Sequence, residues 1–222
     1  MKYLFIYGWS FSRDIWKNFF KLKNSIFLDL PFHNGKDYKT DKDILNSFSL
    51  DLYEYINNQN EDIVLMGWSL GASLTVLTAL REPKNLKKII LIGFSPKFKD
   101  EKLGHNPKSI KAFMLQLKRS FEETIYQFRK TAVNDEFKDI PLPIRDGGIK
   151  ILKEFIDLDL TNDLENIKQE CVLICGKQDK IINPYGSVFA KDKIKNSHLI
   201  SVDSHHAPFL SNPDILKEAL KW

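Results

Sequence analysis

The sequence predicts an α/β protein with a mainly parallel sheet that is covered by helices on both faces. Short apolar runs bounded by turn residues recur along the chain, and helical stretches separate them, which is the pattern of such a sheet. The 222 residues are 43% hydrophobic, enough for one large core with an insertion. A third observation is the order strand, tight turn and helix around Gly67-Trp68-Ser69-Leu70-Gly71.

Six of the apolar runs are predicted to be strands, at 3–7, 25–28, 63–66, 88–92, 172–175 and 197–202. Parallel strands in such a sheet end at one edge, and ligands bind in the crevice there. Functional residues should therefore lie just after strands. Four features meet this condition, namely Gly8-Trp9, Ser69, Asp179 and His205-His206.

Helices are predicted at 47–57, 69–80 and 213–220, the last beginning with Pro213, which suits the first turn of a helix. Between 98 and 162 the alternation of strands and helices breaks down, because this stretch is charged, helix-like and poor in strand patterns. We therefore expect one α/β-fold core formed by 1–97 and 163–222. A small helical cap at 98–162 would be inserted after the fourth strand.

Hydropathy and cysteine content indicate a cytoplasmic protein. No run approaches the roughly 18 apolar residues of a membrane-spanning helix, and the apolar start meets Gly8 too early for a signal peptide. Cys171 and Cys175 are the only cysteines. In one extended strand their Cα atoms would be about 13 Å apart, too far for a disulfide, so we expect reduced, buried thiols.

The charge balance argues against a nucleic-acid-binding protein, because the net charge is only +4. The basic residues are unevenly spread, however, since 97–130 holds nine lysines and arginines against four acidic residues. This segment is either a positive face for an acidic partner or substrate or an ordinary solvated helix surface.

Ser69 is the candidate nucleophile. Glycines two residues before and two residues after it, at Gly67 and Gly71, allow a chain reversal so sharp that the serine hydroxyl stands above the sheet edge. The pentapeptide alone is weak evidence, because such patterns occur by chance in unrelated chains. Its partners decide the interpretation.

A serine hydroxyl needs a base to take its proton and a third group to orient that base. Asp179 follows one apolar strand and His205-His206 follows another, which gives the order serine, acid, histidine that accompanies this kind of turn. The competing interpretations are a turn residue for Asp179 and a structural histidine for His206. Neighbours in an extended segment point to opposite sides, so only one of the two histidines should reach Ser69.

Acyl transfer also needs donors aimed at the oxygen that becomes negative in the tetrahedral intermediate. Leu70, the residue after the nucleophile, offers its backbone N–H. The second donor should come from the loop after the first strand, where Trp9 lies. The ring of Trp9 would then also form a wall of the acyl pocket, unless it serves packing alone.

With these residues, the chain resembles the α/β-hydrolase superfamily and, within it, the pimeloyl-[acyl-carrier protein] methyl ester esterases of biotin synthesis, the BioH type. The matching motifs span almost the entire chain. They are Tyr7-Gly8-Trp9-Ser10 with Trp16, Gly67-Trp68-Ser69-Leu70-Gly71-Ala72, Gly147-Gly148-Ile149-Lys150-Ile151-Leu152-Lys153, and His206-Ala207-Pro208-Phe209-Leu210-Ser211-Asn212-Pro213. The last two are more particular to these esterases than the first two.

The resemblance implies a catalytic role for three matched residues. Ser69 would be the nucleophile, Asp179 the orienting acid, and His206 the general base, because the family's base directly precedes Ala-Pro-Phe. The implied reaction is hydrolysis of the methyl ester at the far end of a pimeloyl chain carried on an acyl carrier protein, releasing methanol.

The resemblance also implies binding contacts. Trp9 and Leu70 would be oxyanion and substrate contacts, and Phe128 would contact the acyl chain from the cap. The chain departs from the family at Tyr7, where a histidine is usual. Its cap is shorter and its charge is mostly lysine, which attracts an acidic carrier as a point charge without the bidentate fork of arginine.

The leading hypothesis is a serine carboxylesterase that hydrolyses the methyl ester of pimeloyl-acyl-carrier protein. No cofactor or metal is expected, because no cluster has the ligand spacing of a zinc site. The first alternative is a general short-chain carboxylesterase acting on small esters without a carrier. The second is a non-catalytic ligand-binding module on the same fold, and other chemistries of the same three residues, such as peptidase or acyltransferase activity, stay open.

Overall fold

The computed structural model describes residues 1–19, 21–135 and 137–222. Within these residues, six strands form one all-parallel sheet in the order β2-β1-β3-β4-β5-β6. The strands are β1 (Lys2–Ile6), β2 (Ser25–Leu28), β3 (Ile63–Trp68), β4 (Leu86–Ile92), β5 (Glu170–Gly176) and β6 (Ser197–Val202). The predicted α/β class and all the predicted strands are confirmed, with ends that differ by no more than two residues.

The helices alternate with the strands as the sequence predicts. They are α1 (Ile44–Asn57), α2 (Leu70–Ala79), α3 (Pro107–Arg119), α4 (Phe121–Val133), α5 (Arg145–Asp157), α6 (Pro184–Lys193), α7 (Pro208–Ser211) and α8 (Asp214–Ala219), with 3-10 segments at Arg13–Phe19 and Leu164–Asn166. The three predicted helices are confirmed as α1, α2 and α8.

Sequence reasoning missed α6. Its signal is local: Pro184 occupies the first turn, and the Asn183 side chain accepts a hydrogen bond of 3.0 Å from the Tyr185 N–H. An asparagine cap followed by proline is a helix start signal.

The core lies on both sides of the central strand β3, whose six residues are all buried. This strand runs between β1 and β4, and α2 packs on it and on α1. A strand covered on both faces reads as a continuous apolar run without alternation, which is why the sequence from Ile63 to Met66 predicts it so clearly.

Helices α3, α4 and α5 lie between β4 and β5 in the chain, and the name "inserted helices" is used for them below. They are bonded to the core at several points. Glu154 on α5 accepts hydrogen bonds from the N–H groups of Ile44 (3.0 Å) and Leu45 (2.9 Å) at the start of α1, where a carboxylate is favoured by the helix dipole. The division into core and cap at 98 and 162 stays a prediction.

Cys171 and Cys175 are both free and buried on β5. Burial raises the pKa of both thiols, as expected for apolar filler positions. Across the described ranges, no helix is long and apolar enough to cross a membrane.

Candidate active site

The turn between β3 and α2 holds Ser69 in a strained conformation, with φ 57° and ψ −120°. The flanking glycines make this possible. A Cβ on Gly67 would lie 2.2 Å from the carbonyl oxygen of Gly71, and a Cβ on Gly71 would lie 2.4 Å from that of Ile6. The Ser69 N–H donates to the carbonyl of Ile92 at 2.8 Å, so the neighbouring strand helps to hold the strained residue in place.

The side chains of Asp179 and His206 meet beside this turn. His206 Nδ1 lies 2.7 Å from Asp179 Oδ2, and both side chains are 1% exposed. The other carboxylate oxygen, Oδ1, accepts from the N–H groups of Ile181 (2.8 Å) and Ile182 (2.9 Å). Asp179 is thus fixed by the start of the following loop, and it in turn fixes the ring of His206.

The second ring nitrogen of His206, Nε2, is buried and has no hydrogen-bond partner within the part of the chain that the structure describes. The backbone of His206 is held by Trp68, whose indole N–H donates to its carbonyl at 2.9 Å. His205 is exposed, and its Nδ1 lies 3.3 Å from the carbonyl of Gln178. Of the two neighbouring histidines, His206 therefore points inward against Asp179.

The loop after β1 lies against Ser69, since a Cβ on Gly8 would be 3.0 Å from the Ser69 Cβ. Trp9 follows in this loop and is 2% exposed, with its indole N–H donating to the carbonyl of Gly148 at 2.8 Å. Leu70 is the first residue of α2, so its N–H has no acceptor within the helix. The oxyanion roles of Trp9 and Leu70 stay predictions.

Ser10, next to Trp9, also has a left-handed backbone, with φ 69°. His33 Nε2 accepts a hydrogen bond of 2.9 Å from the Ser10 N–H, and His33 Nδ1 lies 2.8 Å from the carbonyl of Pro31. A neutral imidazole with its proton on Nδ1 satisfies both contacts. Burial lowers the pKa of His33 to about 4, which keeps the ring neutral.

Tyr7 is the residue at which the chain departs from the esterases that it resembles. It is fully buried, and its hydroxyl accepts from the Leu30 N–H at 3.0 Å and donates to Asp29 at 3.3 Å. Tyr7 therefore joins the end of β1 to the segment after β2, while the N–H of the loop itself is bonded by His33. Burial, with Asp29 nearby, raises the pKa of the Tyr7 phenol.

A cavity of about 220 Å³ opens at Ser69. Its walls are mostly aromatic and aliphatic side chains from the inserted helices, with Trp9 from the core. They include Phe113, Phe128, Leu152 and Phe155. The ring of Phe128 meets that of Trp9 edge to face at 5.2 Å between centroids, so the structure brings Ser69, Trp9 and Phe128 to one pocket.

The sequence analysis did not identify two residues that bond to the loop after β1, His33 and Arg129. Each has a detectable signal. His33 follows Asp29-Leu30-Pro31 just after β2, at the functional edge of the sheet. Arg129 lies one helical turn after the buried Ile125 on α4, a charge within the buried face of that helix. Across 1–19, 21–135 and 137–222, no three histidine, cysteine or acidic side chains form a group that could hold a metal ion.

Comparison with known proteins adds independent findings. Residues 41–203 match the family described as Serine aminopeptidase, S33. A pimeloyl-[acyl-carrier protein] methyl ester esterase of Nitrosospira multiformis is 30% identical over 238 residues, covering 94% of this chain and 89% of that protein. A protein of the same name from Wigglesworthia glossinidia brevipalpis is 28% identical over 247 residues, covering 99% of this chain and 92% of that protein.

Solved structures agree on the fold. An esterase from Exiguobacterium antarcticum superposes with a TM-score of 0.86 at 19% identity, covering 99% of this chain and 90% of that one. A bromoperoxidase from Bacillus anthracis gives 0.84 at 17% identity, covering 99% and 90%. At such identities the likeness concerns the fold alone, whereas the sequence relatives are named as esterases. The chain therefore belongs to the serine aminopeptidase S33 family of the α/β-hydrolase superfamily, and it is a carboxylic ester hydrolase.

Proposed function

We propose that this protein hydrolyses the methyl ester of pimeloyl-acyl-carrier protein through an acyl-enzyme on Ser69. The observation that carries the proposal is the bonded pair of Asp179 and His206 beside the turn that presents Ser69 to an apolar pocket. The names of the two sequence relatives support the choice of substrate. The cytoplasmic location expected from the sequence stays a prediction.

In the first half of the reaction, the Ser69 hydroxyl attacks the ester carbonyl carbon while His206 Nε2 takes its proton. The bond from that carbon to the methoxy oxygen then breaks, and the same proton passes from His206 to the departing oxygen to form methanol. Asp179 keeps the His206 proton on Nδ1 and stabilises the imidazolium that forms. In the second half, water attacks the acyl-enzyme by the same route and releases the free carboxylic acid.

The negative oxygen of each tetrahedral intermediate would be bound by the backbone N–H groups of Trp9 and Leu70. Leu70 lies at the start of α2, where unpaired N–H groups and the helix dipole favour negative charge. Removing one such donor typically costs about 10²- to 10³-fold in kcat.

The small volume and the apolar lining of the pocket support an aliphatic acyl chain as substrate. At about 220 Å³ it is smaller than the roughly 300–1,000 Å³ typical of drug-sized ligand sites. Aromatic rings of Phe113 and Phe128 face it together with Trp9, and such surfaces are suited to methylene groups. We propose that Phe128 contacts the acyl chain there.

Carrier docking is proposed for the outer face of α3. Lys108, Lys111 and Lys118 are exposed on one side of this helix, together with Leu115, which is 48% exposed. Their spacing of three, four and three residues places them in one row. The helix contains no acidic residue, so the row offers positive charge around one apolar contact, as an acidic carrier surface requires.

Three of the nine basic residues in 97–130 are buried or paired with aspartates. Arg129 is fully buried and cannot belong to a positive surface. Lys97 and Lys99 pair with Asp159 and Asp157, each at 2.7 Å. Of the six basic residues that remain in 97–130, Lys108, Lys111 and Lys118 form the row on α3.

The test compares steady-state hydrolysis of methyl pimeloyl-carrier protein with that of the same methyl ester without carrier, at low and high salt. A carrier preference that weakens with salt is expected, because exposed charge pairs are screened. The triple variant Lys108→Glu, Lys111→Glu and Lys118→Glu should lose the preference and keep its activity on the free ester. The single variants Lys108→Glu, Lys111→Glu and Lys118→Glu should each weaken the preference, and Lys195→Glu is the charge-matched control for them, since this exposed lysine precedes β6, at the end of the strands opposite to Ser69.

Three results would change the proposal. Equal rates with and without carrier, insensitive to salt, favour the general short-chain carboxylesterase. Loss of the carrier preference in Lys195→Glu would assign it to overall charge and not to α3. Unchanged activity in Ser69→Ala would contradict the acyl-enzyme and favour a non-catalytic use of the fold.

A further inference from the structure

Arg129 is a buried cation whose neighbours are backbone carbonyl groups. It lies on α4 and is 0% exposed. Its guanidinium donates to the Ser10 carbonyl through Nε at 3.0 Å and also through Nη2. Its remaining bonds go to Phe137 (2.7 Å), Ile140 (3.0 Å) and Pro141 (3.0 Å), in the connection that follows α4.

No carboxylate among the described residues bonds to this guanidinium, and its Cζ lies 5.8 Å from the centroid of the Phe11 ring. Burial lowers the pKa of Arg129 to about 10, so the group stays protonated at neutral pH. Burying a charge without a counter-charge is costly unless its donors are satisfied. The helix therefore places a costly residue at a site where an apolar one would fit its buried face.

The hydrogen bonds of Arg129 explain why an arginine is buried at this position of α4. Ser10 has φ 69°, a conformation that is strained for a residue other than glycine. Its N–H is bonded by His33 and its carbonyl by Arg129. The residue directly before it is Trp9, whose N–H is the proposed oxyanion donor. The two bonds thus fix the backbone next to that donor from two different parts of the chain.

We propose that Arg129 is a positioning residue for catalysis, which holds the loop after β1 in the geometry that aims the Trp9 N–H at the oxyanion. This inference rests on the function proposed above. Arg129 does not touch the substrate. It acts by joining the Ser10 carbonyl to the connection between α4 and α5, so that the oxyanion loop and the inserted helices keep one relative position.

Lysine cannot perform this task. The guanidinium offers five donors in a rigid plane, and here its three nitrogens reach four carbonyl groups on two segments. An ammonium is a compact point charge with three donors at one atom. Arg129→Lys keeps the charge and most of the stem, and it loses the fixed geometry, so it separates positioning from mere charge.

The test measures kcat and KM of Arg129→Lys and Arg129→Met on a soluble methyl ester, after thermal unfolding has set a temperature at which each is fully folded. Both variants should lose about 10- to 100-fold in kcat, part of the effect of deleting an oxyanion donor, with KM within about threefold. Lys88→Met is the matched control. Lys88 is 6% exposed and bonds Glu170 at 2.8 Å on the far half of β4, so it should lose stability and keep kcat.

A second readout separates positioning from folding. A trifluoromethyl ketone with the same acyl chain forms a tetrahedral adduct with the serine hydroxyl. The matching methyl ketone binds in the same pocket largely without forming this adduct. In Arg129→Lys the affinity for the first should fall with kcat and that for the second should stay constant. If Arg129→Met does not fold, Arg129→Lys carries the test.

Wild-type kcat in folded Arg129→Lys, or equal losses of affinity for both ketones, would overturn the inference. Ser69→Ala is measured in parallel. If it is inactive while Arg129→Lys is fully active, the proposed function stands and the positioning role is wrong. If Ser69→Ala is active, the proposed function fails and the positioning role fails with it.

Discussion

Gly93 packs against the imidazole of His206. A Cβ at Gly93 would be 2.9 Å from His206 Cε1 and 3.0 Å from Nδ1, and the residue has φ +56°. It directly follows β4, whose last residue, Ile92, accepts the Ser69 N–H at 2.8 Å. The end of one strand thus supports both the candidate nucleophile and the candidate base.

Gly93→Ala is therefore expected to reduce kcat at least tenfold, because the added methyl group would push the His206 ring away from its position. The measurement is kcat on a methyl ester with the free energy of unfolding beside it. Gly35→Ala is the matched control, since Gly35 has φ +71° with nothing within 4 Å of an added Cβ. Both should lose about 1–2 kcal/mol of stability from the left-handed backbone. A similar loss of kcat in Gly35→Ala would contradict the contact argument.

Asp179→Asn is expected to lower kcat on the order of 10⁴-fold with little loss of stability. Oδ1 accepts two backbone N–H groups, so the amide NH₂ would take the place of Oδ2 and face His206 Nδ1. The proton of the ring would then move to Nε2, which leaves no base for Ser69. Asp203→Asn serves as control, because this exposed aspartate accepts a hydrogen bond of 2.8 Å from the Gln178 side chain and does not contact His206. A loss below tenfold in Asp179→Asn would exclude an orienting role.

His33 predicts a specific pH dependence of stability. Its pKa is about 4 in the folded protein, against 6.5 for a free histidine. Between these values the unfolded chain binds a proton that the folded protein does not, so the free energy of unfolding falls as pH falls through this window. The full effect is about 3 kcal/mol.

Urea unfolding at pH 7 and pH 4.5 checks this dependence. In His33→Gln the loss of stability on acidification should be smaller than in the wild type, because the titrating group is gone. His205→Gln, which changes an exposed histidine, should lose as much stability on acidification as the wild type. Parallel losses in all three proteins would show that other groups cause the acid sensitivity.

Phe128→Ala should raise KM about tenfold for a methyl ester of a seven-carbon acid, because part of the pocket wall is removed. An acetyl ester, too short to reach this ring, should change little. Tyr126→Ala is the control on the same helix, since its hydroxyl bonds the exposed Glu122 at 2.8 Å outside the pocket. Equal effects on long and short esters would contradict a chain contact at Phe128.

Local sequence patterns alone predict the sheet and the chain order of the candidate site residues. Ser69, Asp179 and His206 each follow a strand that apolar runs predict, and parallel strands bring their ends to one edge. The two glycines around Ser69 indicate the tight turn, because a Cβ on Gly67 would clash with α2 and a Cβ on Gly71 would clash with the end of β1. These features depend on local backbone preferences, which a single sequence expresses directly.

The contacts that position the site residues depend on the tertiary structure. Arg129 bonds Ser10 across 119 positions of the chain, whereas the count of basic residues groups it with a segment expected to be a positive face or an ordinary solvated helix surface. The bond between His33 and Ser10 and the contact between Gly93 and His206 likewise join distant parts of the chain. Each contact joins segments that meet only when helices pack on the sheet. Because packing sets these distances and periodicity does not, no pattern within one segment reveals them.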